Sequence, residues 1–170
     1  MAKFREIPVN NITQNPFKLI GEDWGLVSAA KDDGCNMMTI SWGGVGIMWN
    51  KPVAFTFIRP QRYTFSLLEN EEYFALSFFD EKYRDALSFC GSKSGRDFDK
   101  VKETGLTALY DEKAPYFEEA RLVLICRKLY GQALGEEHIT DPDSVLKFYN
   151  GDDYHKMYIS EIVKVLKNED

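Results

Sequence analysis

The sequence predicts a mainly β chain: a small antiparallel barrel, Greek-key-like in order, with short helices inserted between its strands. Three observations predict it. About six or seven segments combine β-branched and aromatic residues with two-residue alternation. Turn signals place hairpins between several of them. The β-α-β alternation of a doubly wound sheet is absent. The 170 residues fit a single domain spanning 1–170, with 1–15 as an extended lead-in. A folded chain of this length hides about 70% of the surface its unfolded form exposes, so it holds a core without staples.

The elements follow in order. Leu26 to Ala30 reads as a strand, closed by the turn Asp32-Asp33-Gly34, and Asn36 to Trp42 as its hairpin partner. The glycine-rich stretch Gly43 to Asn50 reads as a loop. Val53 to Arg59 is a strand bounded by Pro52 and Pro60. Gln61 to Asn70 reads as a helix with Thr64 as its cap. Tyr73 to Phe79 is a strand with Phe74, Leu76 and Phe78 on one face. Asp80 opens a helix through Phe89, Gly91 to Gly95 breaks the pattern, and Phe98 to Glu103 is a short helix before Gly105. Leu122 to Cys126 is a nearly continuous apolar run, which predicts a strand buried on both faces. Asp141-Pro142-Asp143 starts a short helix to Tyr149, and Tyr154 to Leu166 is a long final strand.

Charge excludes one class of partner. Lys plus Arg is 21 and Asp plus Glu is 27, a net charge of −6. A nucleic-acid binder needs a positive field, and none is present globally. The three cysteines, Cys35, Cys90 and Cys126, are odd in number and show no C-x-x-C spacing. That argues against a disulfide framework or a zinc site and fits a reducing cytoplasm. Met1 to Val9 has no apolar run of a signal peptide. The longest uncharged run, Gly34 to Asn50, is interrupted by Gly43, Gly44 and Gly46 and is a poor membrane span.

Two phosphate motifs fail on inspection. Gly44-Val45-Gly46 needs a third glycine at position 49, which is Trp49. Gly91-Ser92-Lys93-Ser94 lacks the upstream glycine, having Ala86 there. His138 and His155 have no metal-ligand spacing to each other or to the cysteines.

Four stretches carry candidate chemistry. Asn36-Met37-Met38-Thr39-Ile40-Ser41-Trp42 offers polar groups for the rim of a planar heteroaromatic ligand and apolar groups for its faces; the alternative is an ordinary half-buried strand. Arg59-Pro60-Gln61-Arg62-Tyr63-Thr64 places two guanidinium groups and a hydroxyl at a helix start, a natural phosphate site; the alternative is a solvated turn. Gly91 to Lys100 gathers two glycines, two serines and three cations that suit a phosphate or a flavin edge; the alternative is a surface loop. His155 enters the final strand, as a ligand contact or as a structural hydrogen-bonding group.

In order and spacing together, these stretches resemble the flavin reductase family with the FMN-binding split barrel, its flavoredoxin-type branch above all. The resemblance runs from about Asn15 to Val165. It is carried by Asn36 to Trp42 followed by Gly44, by Arg59-Pro60 with Tyr63-Thr64, by Ser94-Gly95-Arg96-Asp97 with Lys100, and by His155 before Tyr158-Ile159-Ser160-Glu161-Ile162. Ser160 stands where family members often have glycine. The resemblance implies FMN at a homodimer interface. Asn36, Thr39, Ser41 and Trp42 would line the isoalloxazine ring, with Met38 beside them. Arg59, Tyr63 and Thr64 would hold the ribityl phosphate, with Arg62 alongside. Lys100 and Arg96 would add positive charge near the flavin, from the loop that carries Ser94. His155, the candidate catalytic residue, would approach the ring from the last strand. The acidic segment Asp141 to Asp153 would lie near the flavin.

The implied activity is an NAD(P)H-dependent flavin oxidoreductase, with NADH or NADPH as donor and a free flavin, another small molecule or a protein as electron acceptor. Two alternatives stand beside it: an FMN electron carrier with little direct NAD(P)H activity, and a split-barrel protein holding haem or a deazaflavin cofactor.

Overall fold

Ten strands and five helices form the computed structural model, which describes residues 3–149 and 151–169. The strands are β1 (Phe4–Ile7), β2 (Gly25–Lys31), β3 (Gly34–Ile40), β4 (Gly43–Met48), β5 (Lys51–Ile58), β6 (Tyr73–Phe78), β7 (Ala108–Leu109), β8 (Tyr116–Phe117), β9 (Leu122–Ala133) and β10 (Lys156–Asn168). The helices are α1 (Pro16–Gly21), α2 (Tyr63–Asn70), α3 (Arg84–Ser92), α4 (Lys100–Thr104) and α5 (Pro142–Phe148).

The main sheet runs β3-β2-β6-β9-β10-β5-β4, with β1 added against β10. Every pairing is antiparallel. The sheet's two edges, β3 and β4, are consecutive in sequence, and no ladder joins them. The barrel is therefore split along that line, as the resemblance implied.

Two apolar layers lie on opposite faces of the central strands. On β6, Phe74, Leu76 and Phe78 enter one cluster while Ala75 enters the other. On β9, Leu122, Leu124 and Cys126 enter the first, and Val123 and Ile125 the second. This double cover is why the run from Leu122 to Cys126 is apolar without alternation. The second face is covered by α3 and by the 100–120 region, through Leu87, Cys90, Leu106 and Phe117.

Three expectations are corrected. Residues 4–7 of the expected lead-in form β1, where Phe4 pairs with Asn168 and Ile7 with Val165; residues 1 and 2 lie outside the described residues. Gly43 to Asn50 is not a loop. Gly43–Met48 is an edge strand on β5, and Trp49 and Asn50, at φ of 52° and 56°, make the tight turn between them. Gly44 and Gly46 lie over the Phe55 ring, and Gly43, at a φ of 145°, sits so close to the Phe55 carbonyl that a Cβ would collide with it. Thr64 does not cap α2. It sits inside the helix, fully buried, and no side chain caps that N-terminus.

Candidate functional site

Two adjoining concavities open where β3, the start of α2 and the end of α3 meet. The first is polar, about 240 Å³, and lined by Asn36, Gln61, Arg62, Tyr63, Thr64, Ser92, Lys93, Ser94, Gly95 and Lys100. Asn36 is buried on β3 and donates through Nδ2 to Thr64 Oγ1 at 2.8 Å. That bond ties β3 to the first turn of α2. A helix start leaves backbone N–H groups without intrahelical partners, and the absence of a capping side chain on α2 keeps its positive end available to an anion.

Gly95 closes the far wall. A Cβ there would collide with the Asn36 side chain and the Tyr63 ring, so only glycine lets the loop approach this closely. Lys100 is 3% exposed and donates from Nζ to the carbonyls of Met37 at 2.9 Å and Cys90 at 2.8 Å. Burial lowers its pKa to about 8, and Arg62 adds to the lowering. Two of its three ammonium donors are thereby used. Arg62 donates to the carbonyls of Gly91 at 2.8 Å and Cys90 at 3.2 Å. Burial pushes the Cys90 thiol up to about 11, so it is no thiolate nucleophile at neutral pH.

The second concavity is aromatic, about 290 Å³, and lined by Met38, Thr39, Ile40, Ser41, Trp42, Phe57, Arg59, Arg62, Phe148 and His155. Trp42 meets Phe148 edge to face at 5.0 Å and His155 at 5.1 Å between ring centres. Phe148 is the last residue of α5, and Arg59 ties down that end of the helix. The Arg59 guanidinium donates to the Phe148 carbonyl at 2.6 Å, lies 3.5 Å from Asp153 Oδ2, and sits 5.1 Å from the centre of the Tyr149 ring. Asp153 also accepts from the Gln61 backbone N–H at 3.1 Å. Thr39 donates its hydroxyl to the Leu87 carbonyl. His155 is buried beside Tyr149, whose hydroxyl lies 2.6 Å from Nδ1. Burial first, then the Arg59 charge, lowers its pKa to about 4, so the ring is neutral at physiological pH.

The expected residues thus divide between two places. Met38, Thr39, Ser41, Trp42, Arg59 and His155 line the aromatic concavity; Asn36, Tyr63, Thr64, Ser94 and Lys100 line the polar one; Arg62 lines both. Arg96 lines neither. It donates to the Gln61 carbonyl at 3.2 Å and stacks on the Tyr63 ring at 5.2 Å, bracing the turn before α2. Asn36, expected beside a ring, stands in the polar pocket, and Arg59, expected at a phosphate, stands in the aromatic one. Phe57, Phe148 and Tyr149 were not foreseen as individual residues. The only sequence signal for the last two was the acidic segment from Asp141 to Asp153, which marks a place without naming side chains.

The aromatic concavity offers Trp42, Phe148 and His155 as walls for a flat ring, and the uncapped helix start with Arg62, Lys93 and Ser94 offers a place for an anionic group. A molecule with a planar ring at one end and a phosphate at the other suits the pair. Among the described residues no group of three His, Cys, Asp or Glu side chains is placed to hold a metal ion, and no helix is long and apolar enough to cross a membrane.

Comparison with known proteins adds the remaining observations. The model of the flavin reductase like domain matches residues 20–170. No curated protein matches the chain in sequence. Among solved structures, an FMN-binding protein from Thermus thermophilus with bound p-hydroxybenzaldehyde is similar at a TM-score of 0.69 and 20% identity, over 97% of this chain and 82% of that one. A flavoredoxin from Methanosarcina acetivorans gives 0.69 and 19%, over 97% and 76%. An NADH:FAD oxidoreductase from Streptomyces globisporus, in complex with NAD and FAD fragments, gives 0.61 and 16%, over 85% and 74%.

Proposed function

The chain belongs to the flavin reductase-like domain family, and from that premise we propose that it is an FMN-binding flavin reductase that takes hydride from NADH or NADPH and passes electrons to a flavin or another acceptor. The single observation that carries the reading is the junction at Arg62 of an aromatic concavity and a cationic pocket on an uncapped helix start.

Bound FMN would supply hydride acceptance and electron transfer; the protein binds it, orients it and controls the charge around it. Arg62, Ser92, Ser94 and the first turn of α2 would hold the phosphate. Trp42, Met38 and Phe148 would hold the ring, with Thr39 and Ser41 at its rim. Lys100, fixed by two carbonyls, would set a positive charge behind β3. His155 would meet the ligand as a neutral group.

A second reading, an FMN electron carrier with little NAD(P)H activity, is favoured by one observation. The Phe148 ring leans on Trp42 over the same concavity, which narrows the room for a nicotinamide.

The functional unit in this reading is a homodimer in the cytoplasm. Phe17, Val45, Ile47 and Trp49 are exposed around the β4 edge, and Val45 and Phe17 border Trp42 across a further groove of about 350 Å³. A second copy of the chain covering that face would bury more than about 1,200 Å² in total. Light scattering at micromolar concentration tests this, and a monomer mass overturns it.

The absorbance spectrum tests the whole reading. FMN should bind and turn the protein yellow, and NADH or NADPH should bleach it anaerobically. A bound flavin that dithionite reduces but neither nucleotide does leaves the carrier. No flavin binding at all removes both.

A further inference from the structure

Tyr149 and His155 are both buried, at 9% and 8% exposure, with Tyr149 Oη 2.6 Å from His155 Nδ1 and the rings edge-on at 79°. A neutral imidazole carries one proton, and its position is set by the hydrogen bond of the other nitrogen. A phenol hydroxyl also carries one proton and accepts through oxygen. Two arrangements therefore satisfy the 2.6 Å contact, and they differ in what happens to the phenol proton. If Nδ1 donates, that proton needs another acceptor. Among the described residues Tyr149 Oη has none besides Nδ1. A buried donor left without a partner is costly; His155 lines the concavity and its Nε2 is not among the fully buried unpartnered atoms of the described residues, so a proton there has water or a ligand to meet, and the arrangement in which the phenol donates is the lower one. The proton of the imidazole then lies on Nε2.

We propose that Tyr149 is a positioning residue that fixes His155 as the Nε2–H tautomer, so that the aromatic concavity presents a neutral N–H donor to a carbonyl oxygen or unprotonated ring nitrogen of its ligand. His155 lines that concavity, and its Nε2 has no protein partner among the described residues. Tyr149 is itself held by two contacts, stacked on Tyr154 at 4.6 Å and approached by the Arg59 guanidinium at 5.1 Å. Arg59 and Asp153 are the charged groups that face the imidazole. Arg59 disfavours an imidazolium and Asp153 favours one, and burial sides with Arg59. A doubly protonated ring would also turn Nδ1 into a donor against the phenol proton. The pair and its surroundings thus keep one donor, of fixed direction and no charge, beside Trp42.

The tautomer assignment stands without any ligand; the role toward a planar ring rests on the proposed function. The experiment separates the two. Two-bond proton–nitrogen correlation of histidine-labelled, ligand-free protein at pH 7 should show His155 with Nε2 protonated and Nδ1 unprotonated. In Tyr149→Phe, which keeps the ring, the two nitrogens should move toward averaged values, and the His155 titration should shift upward. Added FMN should move the Nε2 resonance of the wild type. An Nδ1–H pattern in the wild type, or a pattern unchanged in Tyr149→Phe, overturns the proposal. The expected tautomer in a protein that binds no flavin supports the role of Tyr149 and overturns the functional reading instead.

Discussion

The polar and aromatic concavities share Arg62 but are held in different ways. The polar pocket is pinned to regular structure: Lys100 and Arg62 donate to backbone carbonyls of β3 and of the end of α3, and Asn36 ties β3 to α2. The aromatic concavity has one wall on β3 and β5. Its other wall, with Phe148, hangs on contacts of Arg59 and Asp153. The first is pre-organised by the barrel itself, and the second is completed by a segment outside it. Carbonyl-anchored cations hold their place whether or not a ligand is present.

The largest expected effect breaks the polar side. Lys100→Met removes the donor that satisfies two buried carbonyls, and hydrogen bonds to a charged group are worth about 1.5–3 kcal/mol each. A loss of stability on the order of 3 kcal/mol is expected in urea unfolding. A loss below about 0.5 kcal/mol would mean that the pocket does not depend on this anchor.

The next prediction sets the two arginines against each other. Arg62→Gln should weaken FMN more than riboflavin, by about 10- to 150-fold, because a charge-assisted contact to the phosphate is lost. Arg59→Ala should weaken both ligands alike, since Arg59 holds the Phe148 wall rather than the polar pocket. Titration of both variants with both ligands decides it. Selective loss of FMN in Arg59→Ala would return Arg59 to the phosphate.

A third prediction concerns pH. The His155 pKa is lowered to about 4 by burial and Arg59, against about 6.5 in an unfolded chain. The unfolded state therefore binds more protons between these values, and stability falls as pH drops through about 6.5 toward 4. His155→Gln lacks this slope. The wild type should lose on the order of 2 kcal/mol relative to the variant over that window, and parallel profiles would remove the buried neutral imidazole.

The smallest effect sharpens the other wall. The Trp42–Phe148 contact contributes about 0.5–1.5 kcal/mol beyond area burial. Phe148→Ala should leave FMN affinity within about tenfold and speed anaerobic reduction by NAD(P)H. A slower reduction would show that Phe148 helps to seat the donor.

The gains and losses of the sequence reading follow the same division. The β2–β3 hairpin was legible because Asp32-Asp33-Gly34 stands between two apolar segments, and Gly34 takes the positive φ of 137° that the turn requires. β4 was not, because its glycines resemble a loop until the Phe55 ring beneath them is seen. Thr64 looked like a cap because a hydroxyl near a helix start usually is one; Asn36, 28 residues earlier, claims it instead.

The sequence by itself determined the antiparallel strands and the two-faced burial of β9, because periodicity and local turn chemistry act over a few residues. The tertiary structure decided which concavity each side chain enters. Arg59 and Arg62 are three residues apart and alike in sequence. Only the approach of Phe148 and Asp153 to the end of β5 draws the Arg59 guanidinium to the carbonyl of the one and the carboxylate of the other. Only the carbonyls of Cys90 and Gly91 at the end of α3 draw that of Arg62 to the other side. Direction at a site is set by partners far away along the chain, and those partners exist only once the barrel has brought them together.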